Sequence, residues 1–81
     1  MAGLRATPDD ARIGARLAAA RKVAGFTQRQ VAEAIGVSGS QLQKYEKGSN
    51  RIAASSLMIV ATMLGMPISA FFDDVPEAEA A

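Results

Sequence analysis

Cysteine and histidine are both missing from this 81-residue chain, as is tryptophan, and tyrosine occurs once. Without cysteine there can be neither a disulfide nor a thiolate metal site. Without histidine the usual metal ligand, general base and physiological-pH switch are gone. No cofactor, metal or catalytic residue is therefore expected. Glu33 and Glu46 have no histidine or cysteine partner, and no glycine-rich phosphate loop is present, so an enzyme is not expected either. No apolar run has the length of a signal-peptide core or a membrane span, which makes the cytoplasm the expected location. Aromatic residues make up 5% of a sequence that is 49% hydrophobic, and alanine is abundant. That composition points to one compact helical domain with a modest core.

Charge is unevenly spread. Between Ala11 and Arg51 eight bases stand against two acids, while from Ile52 onward there are four acids and no base. A basic body with an acidic tail suits a protein that turns one surface toward a polyphosphate. Ordinary solvated helix faces give the same totals, so charge alone leaves both readings open. Residues 1–8 read as a disordered arm and residues 75–81, VPEAEAA, as an acidic disordered tail with too little apolar mass to pack. The domain between them spans 9–74. Asp9 or Asp10 is the expected cap of a first helix running to about Ala24, with Ile13, Leu17 and Ala20 inward and Gly25 as its stop. A fourth helix is expected from about Ala54 to Leu64, with Leu57, Val60, Ala61 and Leu64 inward. Pro67 then opens a short fifth helix through Phe72.

The densest signal is Thr27 to Gly48, TQRQVAEAIGVSGSQLQKYEKG. Thr27 is followed three residues later by Gln30, and Ser38 by Gln41, each with the spacing of a capping box. Val31, Ala32 and Ile35 share one face of the first of these helices, and Gly36 can take the positive φ that ends it. Leu42 and Tyr45 mark the buried face of the second, closed by Gly48. Two capped helices joined by a tight turn read as a helix-turn-helix, whose second helix can face a DNA groove.

The segment resembles the phage-repressor (Cro/XRE-type) helix-turn-helix family. The matching residues are Gly25-Phe26-Thr27-Gln28, Val31-Ala32, Gly36-Val37-Ser38 and Tyr45-Glu46-Lys47-Gly48. Leu57, Val60-Ala61, Leu64-Gly65 and Pro67 to Phe72 also fit, so the likeness covers roughly Asp9 to Asp74. It implies an all-α, lambda-repressor-like bundle of five short helices, with the second helix at about 27–35 and the recognition helix at about 38–47. It also implies a nucleoid-associated, sequence-specific double-stranded DNA-binding regulator of transcription, a repressor rather than an activator. With the bundle filling most of the chain, no room is expected for a separate ligand-sensing domain.

By that resemblance the outward positions of the recognition helix approach base edges, while neighbouring groups hold phosphates. The candidate DNA-binding residues are Gln28, Ser38, Gly39, Ser40, Gln41, Gln43, Lys44, Lys47, Asn50 and Arg51. Gln43 suits adenine and Lys44 suits guanine or a phosphate. Lys47, Asn50 and Arg51 read as phosphate clamps, which fix register without reading sequence. Gly39 has no side chain and reads nothing directly. The family also implies a structural ion pair between Arg21 and Glu46.

Met58, Ile59 and Met63 leave the fourth helix apolar nearly all round. A wider core contact or a self-association patch would each account for this. The patch is the expectation, with Phe71 and Phe72 contributing to a homodimer that binds a two-fold-symmetric operator. Two rival functions use the same residues. An antitoxin of a toxin–antitoxin pair would contact its protein partner through the fourth helix or the acidic tail. A protein-interaction module without DNA binding would explain Gly39 and the small Ser40.

Overall fold

The structure, a computed structural model, describes residues 5–72. Met1–Leu4 of the expected arm and the expected tail 75–81 lie outside the described residues. Four α-helices follow one another, α1 (Pro8–Ala24), α2 (Gln28–Ile35), α3 (Gly39–Lys47) and α4 (Ala54–Leu64), and a 3-10 helix (Ile68–Phe72) ends the described chain.

Local chemistry sets most boundaries. α1 begins earlier than the sequence suggests, because Thr7 rather than Asp9 or Asp10 is its cap. The Thr7 hydroxyl accepts from the Asp10 amide, Asp10 Oδ2 accepts from the Thr7 amide at 2.7 Å, and Pro8 supplies a first turn that needs no N–H donor. At α2 the expected box is complete, with Thr27 and Gln30 exchanging bonds of 3.1 and 2.8 Å. At α3 only half of the box forms. Ser38 Oγ accepts from the Gln41 amide at 3.0 Å, while the Gln41 side chain makes no return bond. α4 starts after Ala53, which supplies no side-chain cap, so its start rests on the burial of Ile52 and Leu57 on either side. The expected fifth α-helix is instead a 3-10 helix. Five residues after Pro67 are too few for cooperative α-helix, and the tighter i→i+3 pattern, with the Ala70 amide on the Pro67 carbonyl at 3.0 Å, turns Phe71 inward.

Every element contributes to one core: Leu17 from α1, Val31 and Ala32 from α2, Leu42 from α3, Leu57, Val60 and Ala61 from α4, then Ile52 and Phe71. Phe71 is 1% exposed. It therefore fills the core beneath α1 and α4 and is no part of an outward patch. Tyr45 and Met63 pack against the cluster from its edge. Met58, Ile59 and Phe72 stay at the surface, 60%, 47% and 43% exposed.

α1 crosses α3 at backbone contact distance, and glycine makes this possible. A Cβ on Gly14 would overlap the carbonyl oxygen of Tyr45 and lie 2.8 Å from that of Glu46. These neighbours are backbone atoms and cannot swing aside. Gly14→Ala is expected to lower stability by about 1–3 kcal/mol, the usual cost of overpacking. Urea denaturation of the two proteins measures it, and an unchanged midpoint would show that the crossing can widen without cost.

Candidate functional site

The axis of the site is a buried ion pair that orients α3. Arg21, near the end of α1, directs Nε to Glu46 Oε2 at 2.7 Å and Nη2 to Oε1 at 3.3 Å. Its Nη1 donates to the Phe26 carbonyl at 2.9 Å, closing the turn between α1 and α2. Gln28 Nε2 donates to Glu46 Oε1 at 2.8 Å. One carboxylate on α3 is thus held by side chains from α1 and α2 at once. The side chains of Arg21 and Glu46 retain 10% and 6% of their exposure. A pair so poorly hydrated is stable only because each of its nitrogen and oxygen atoms has a hydrogen-bond partner. The expected strut between Arg21 and Glu46 is present, and Gln28 belongs to it.

With Leu42 in the core and Tyr45 at its edge, α3 turns its other face outward. Ser40, Gln43, Lys44 and Lys47 are exposed, and their side chains make no hydrogen bond or ion pair among the described residues. Gln41 is half-buried with its amide likewise uncommitted, and Ser38 keeps its hydroxyl proton after accepting from Gln41. Gly39 sits at the start of the helix with open space where a Cβ would be. Gly48 closes α3 in the left-handed conformation, φ 79°, and its amide and the next two return to the Lys44 and Tyr45 carbonyls. Ser49 and Asn50 emerge from this closure exposed. The outward face therefore presents two ammonium groups, two amides and a hydroxyl with no task inside the protein.

Arg51 differs from the others. Its Nε and Nη2 hold Asp10 with bonds of 3.0 to 3.2 Å, and Nη2 also donates to the Arg5 carbonyl at 3.1 Å. Asp10 is 8% exposed. The Arg51 hydrogen bond, followed by the Thr7 amide, pulls its carboxyl below the ordinary value, and desolvation only partly opposes this. The charge expected to clamp a phosphate is thus already paired with Asp10, while the Arg51 side chain keeps 40% of its exposure. Spacing gives no hint of this pair, because 41 residues separate its members. Only the local half was legible, since the Thr7-to-Asp10 spacing places Asp10 at the third helical position with its carboxylate turned back.

Among the described residues, no buried side-chain nitrogen or oxygen lacks a hydrogen-bond partner. No group of three acidic side chains among them could hold a metal ion, and no helix is long and apolar enough to cross a membrane. Removing Glu46 would leave Arg21 charged and buried. Glu46→Ala is expected to cost on the order of 3 kcal/mol, and the paired apolar replacement Arg21→Met with Glu46→Leu distinctly less. Chemical denaturation of both variants tests this, and equal losses would show that the cost comes from lost volume, not from a stranded charge.

The helix-turn-helix family HTH_3 matches residues 17–71. Among curated relatives, an uncharacterized HTH-type transcriptional regulator of Sinorhizobium medicae is 41% identical over 69 residues, 85% of this chain and 50% of its own length. A transcriptional regulator in the ATPase CF(0) region of Rhodospirillum rubrum is 43% identical over 70 residues, 86% of this chain and 65% of its own. The chain thus spans about half to two thirds of the length of these relatives. Among solved structures, the restriction-modification controller protein C.AhdI of Aeromonas hydrophila superposes with a TM-score of 0.73 at 25% identity, over 80% of this chain and 94% of its own. The clp gene regulator ClgR of Corynebacterium glutamicum gives 0.77 at 28% identity, over 89% and 77%.

Proposed function

Because the chain belongs to the HTH_3 helix-turn-helix family of Cro/XRE type, whose members found among its relatives are transcriptional regulators, we propose that it binds specific double-stranded DNA and represses transcription as a two-fold homodimer, in the cytoplasm at the nucleoid. The observation that carries this reading is the contrast between the two polar sets on α2 and α3. Gln28 and Glu46 are locked into the buried strut. Ser40, Gln43, Lys44 and Lys47 are exposed and without side-chain bonds among the described residues, on a helix whose orientation that strut fixes. A rigid helix bearing free donors and positive charge is what major-groove readout requires. Gln43 and Lys44 are the base-reading residues in this account, Lys47 and Asn50 hold phosphates, and Gln28 braces the helix.

The experiment is selection of bound fragments from randomised duplex DNA by the purified protein, with an enriched two-fold-symmetric sequence expected. If each protomer neutralises about four phosphates, log affinity falls with log salt at a slope of roughly −7 for the dimer. Lys47→Ala is expected to weaken operator and random duplex alike. Gln43→Ala and Lys44→Ala are expected to change preference among operators by about 1–3 kcal/mol per lost base contact. Equal effects of all three on specific and random DNA would sink the division between readers and clamps.

Dimerisation supplies the second half-site that one small module needs for a useful specificity ratio. Met58, Ile59 and Phe72 support this reading as exposed apolar groups on α4 and the 3-10 helix. Ile59→Glu places two like charges at a symmetric contact. The variant is expected to sediment as a monomer, to bind the operator more weakly and to keep its helical circular dichroism. Sedimentation of the unmodified protein as a monomer, both free at micromolar concentration and on DNA, would refute the dimer.

A further inference from the structure

The clasp between Arg51 and Asp10 serves neither the α3 strut nor the apolar face, yet it fixes where the chain enters α1. Asp10 Oδ2 holds the Thr7 amide at 2.7 Å, and Arg51 Nη2 holds the Arg5 carbonyl at 3.1 Å. The segment before α1 is thereby tied to the loop after α3 directly at the Arg5 carbonyl, and through Asp10 at the Thr7 amide. That edge is narrow, because a Cβ on Gly48 would overlap the Cα of Ala11. The segment therefore leaves the body beside the exit of α3, where Lys47 and Asn50 stand exposed. Arg5 is itself exposed, and its guanidinium has no acidic partner or hydrogen bond among the described residues. With the charge of Arg51 balanced by Asp10, Arg5 is an unbalanced cation at this edge of the proposed DNA face.

We propose that Arg5 is a phosphate contact outside the helix-turn-helix, and that Arg51 is a positioning residue that holds the arm in place for it. The proposal rests on the reading of α3 as the DNA face. A guanidinium suits the task because its planar fork can bond two phosphate oxygens at once. Tethering the arm at its backbone beforehand lowers the conformational freedom lost on contact. Arg51 then works through the position of Arg5, not by touching DNA.

The test is salt titration of DNA binding by the full chain, on its selected operator and on random duplex, for Arg5→Ala, Arg5→Lys, Arg51→Ala, the Arg5→Ala/Arg51→Ala double variant and Lys47→Ala. Arg5→Ala is expected to reduce the magnitude of the salt slope by about 0.9 for each protomer and to weaken both DNAs by the same factor. Arg5→Lys retains the charge and is expected to keep most of the slope. Arg51→Ala is expected to match Arg5→Ala, and the double variant to lose nothing further, the non-additivity of two residues serving one contact. Arg5→Ala leaves the clasped carbonyl intact, so its fold is not at stake even if Arg51→Ala melts early. An unchanged slope for Arg5→Ala beside a reduced one for Lys47→Ala overturns the arm contact alone. Additive losses for Arg5 and Arg51 overturn the positioning role and make Arg51 a clamp in its own right. If no variant, Lys47→Ala included, alters binding, the reading of α3 falls and the arm contact with it.

Discussion

A single carboxylate, that of Glu46, is where three helices meet. Arg21 reaches it from α1 and Gln28 from α2, while Arg21 also satisfies the Phe26 carbonyl in the turn between those helices. Apolar packing could hold α3 against the body, but dispersion contacts are weakly directional and allow a short helix to rotate or slide. A bidentate guanidinium–carboxylate pair does not. Such a pair adds little net stability once desolvation is counted. Its value in this domain is angular, since it fixes the rotation of α3 and so decides which side chains face outward.

The close crossing of α1 and α3 follows from the same requirement. Arg21 and Glu46 can meet only if the two helices approach closely, and Gly14 on α1 and Gly48 after α3 remove the side chains that would hold them apart. Gly48 has a second role, since its left-handed backbone terminates α3. Small residues at one end of the crossing and an ion pair further along act together. The core beneath is built from few large side chains, with Phe71, Leu17 and Leu42 among the largest fully buried, so backbone proximity supplies contact that bulk would supply in a larger domain.

Polar groups divide into two populations. Those that hold the fold (Thr7, Asp10, Arg21, Gln28, Glu46 and Arg51) have partners of their own. Those on the outward side of α3 have none among the described residues. Composition cannot separate the two sets, because glutamine and basic residues occur in both. Gln28 and Gln43 are chemically identical, yet one is a brace and the other has no bond among the described residues.

The sequence by itself determined the all-helical class, the helix-turn-helix between Thr27 and Gly48 and the limits of α4. These depend on interactions within a few residues of each other: hydroxyl caps, glycine stops and apolar periodicity. The Arg21–Glu46 pair was legible only through the likeness to known helix-turn-helix proteins, since nothing local links positions 25 residues apart. Tertiary structure alone decided that Arg51 closes on Asp10, that Phe71 belongs to the core and that the last element is 3-10. Each of these turns on which surfaces meet across the bundle. A periodic pattern can mark a side chain as apolar or charged, but only packing determines whether it finds its partner inside the protein or is left facing out.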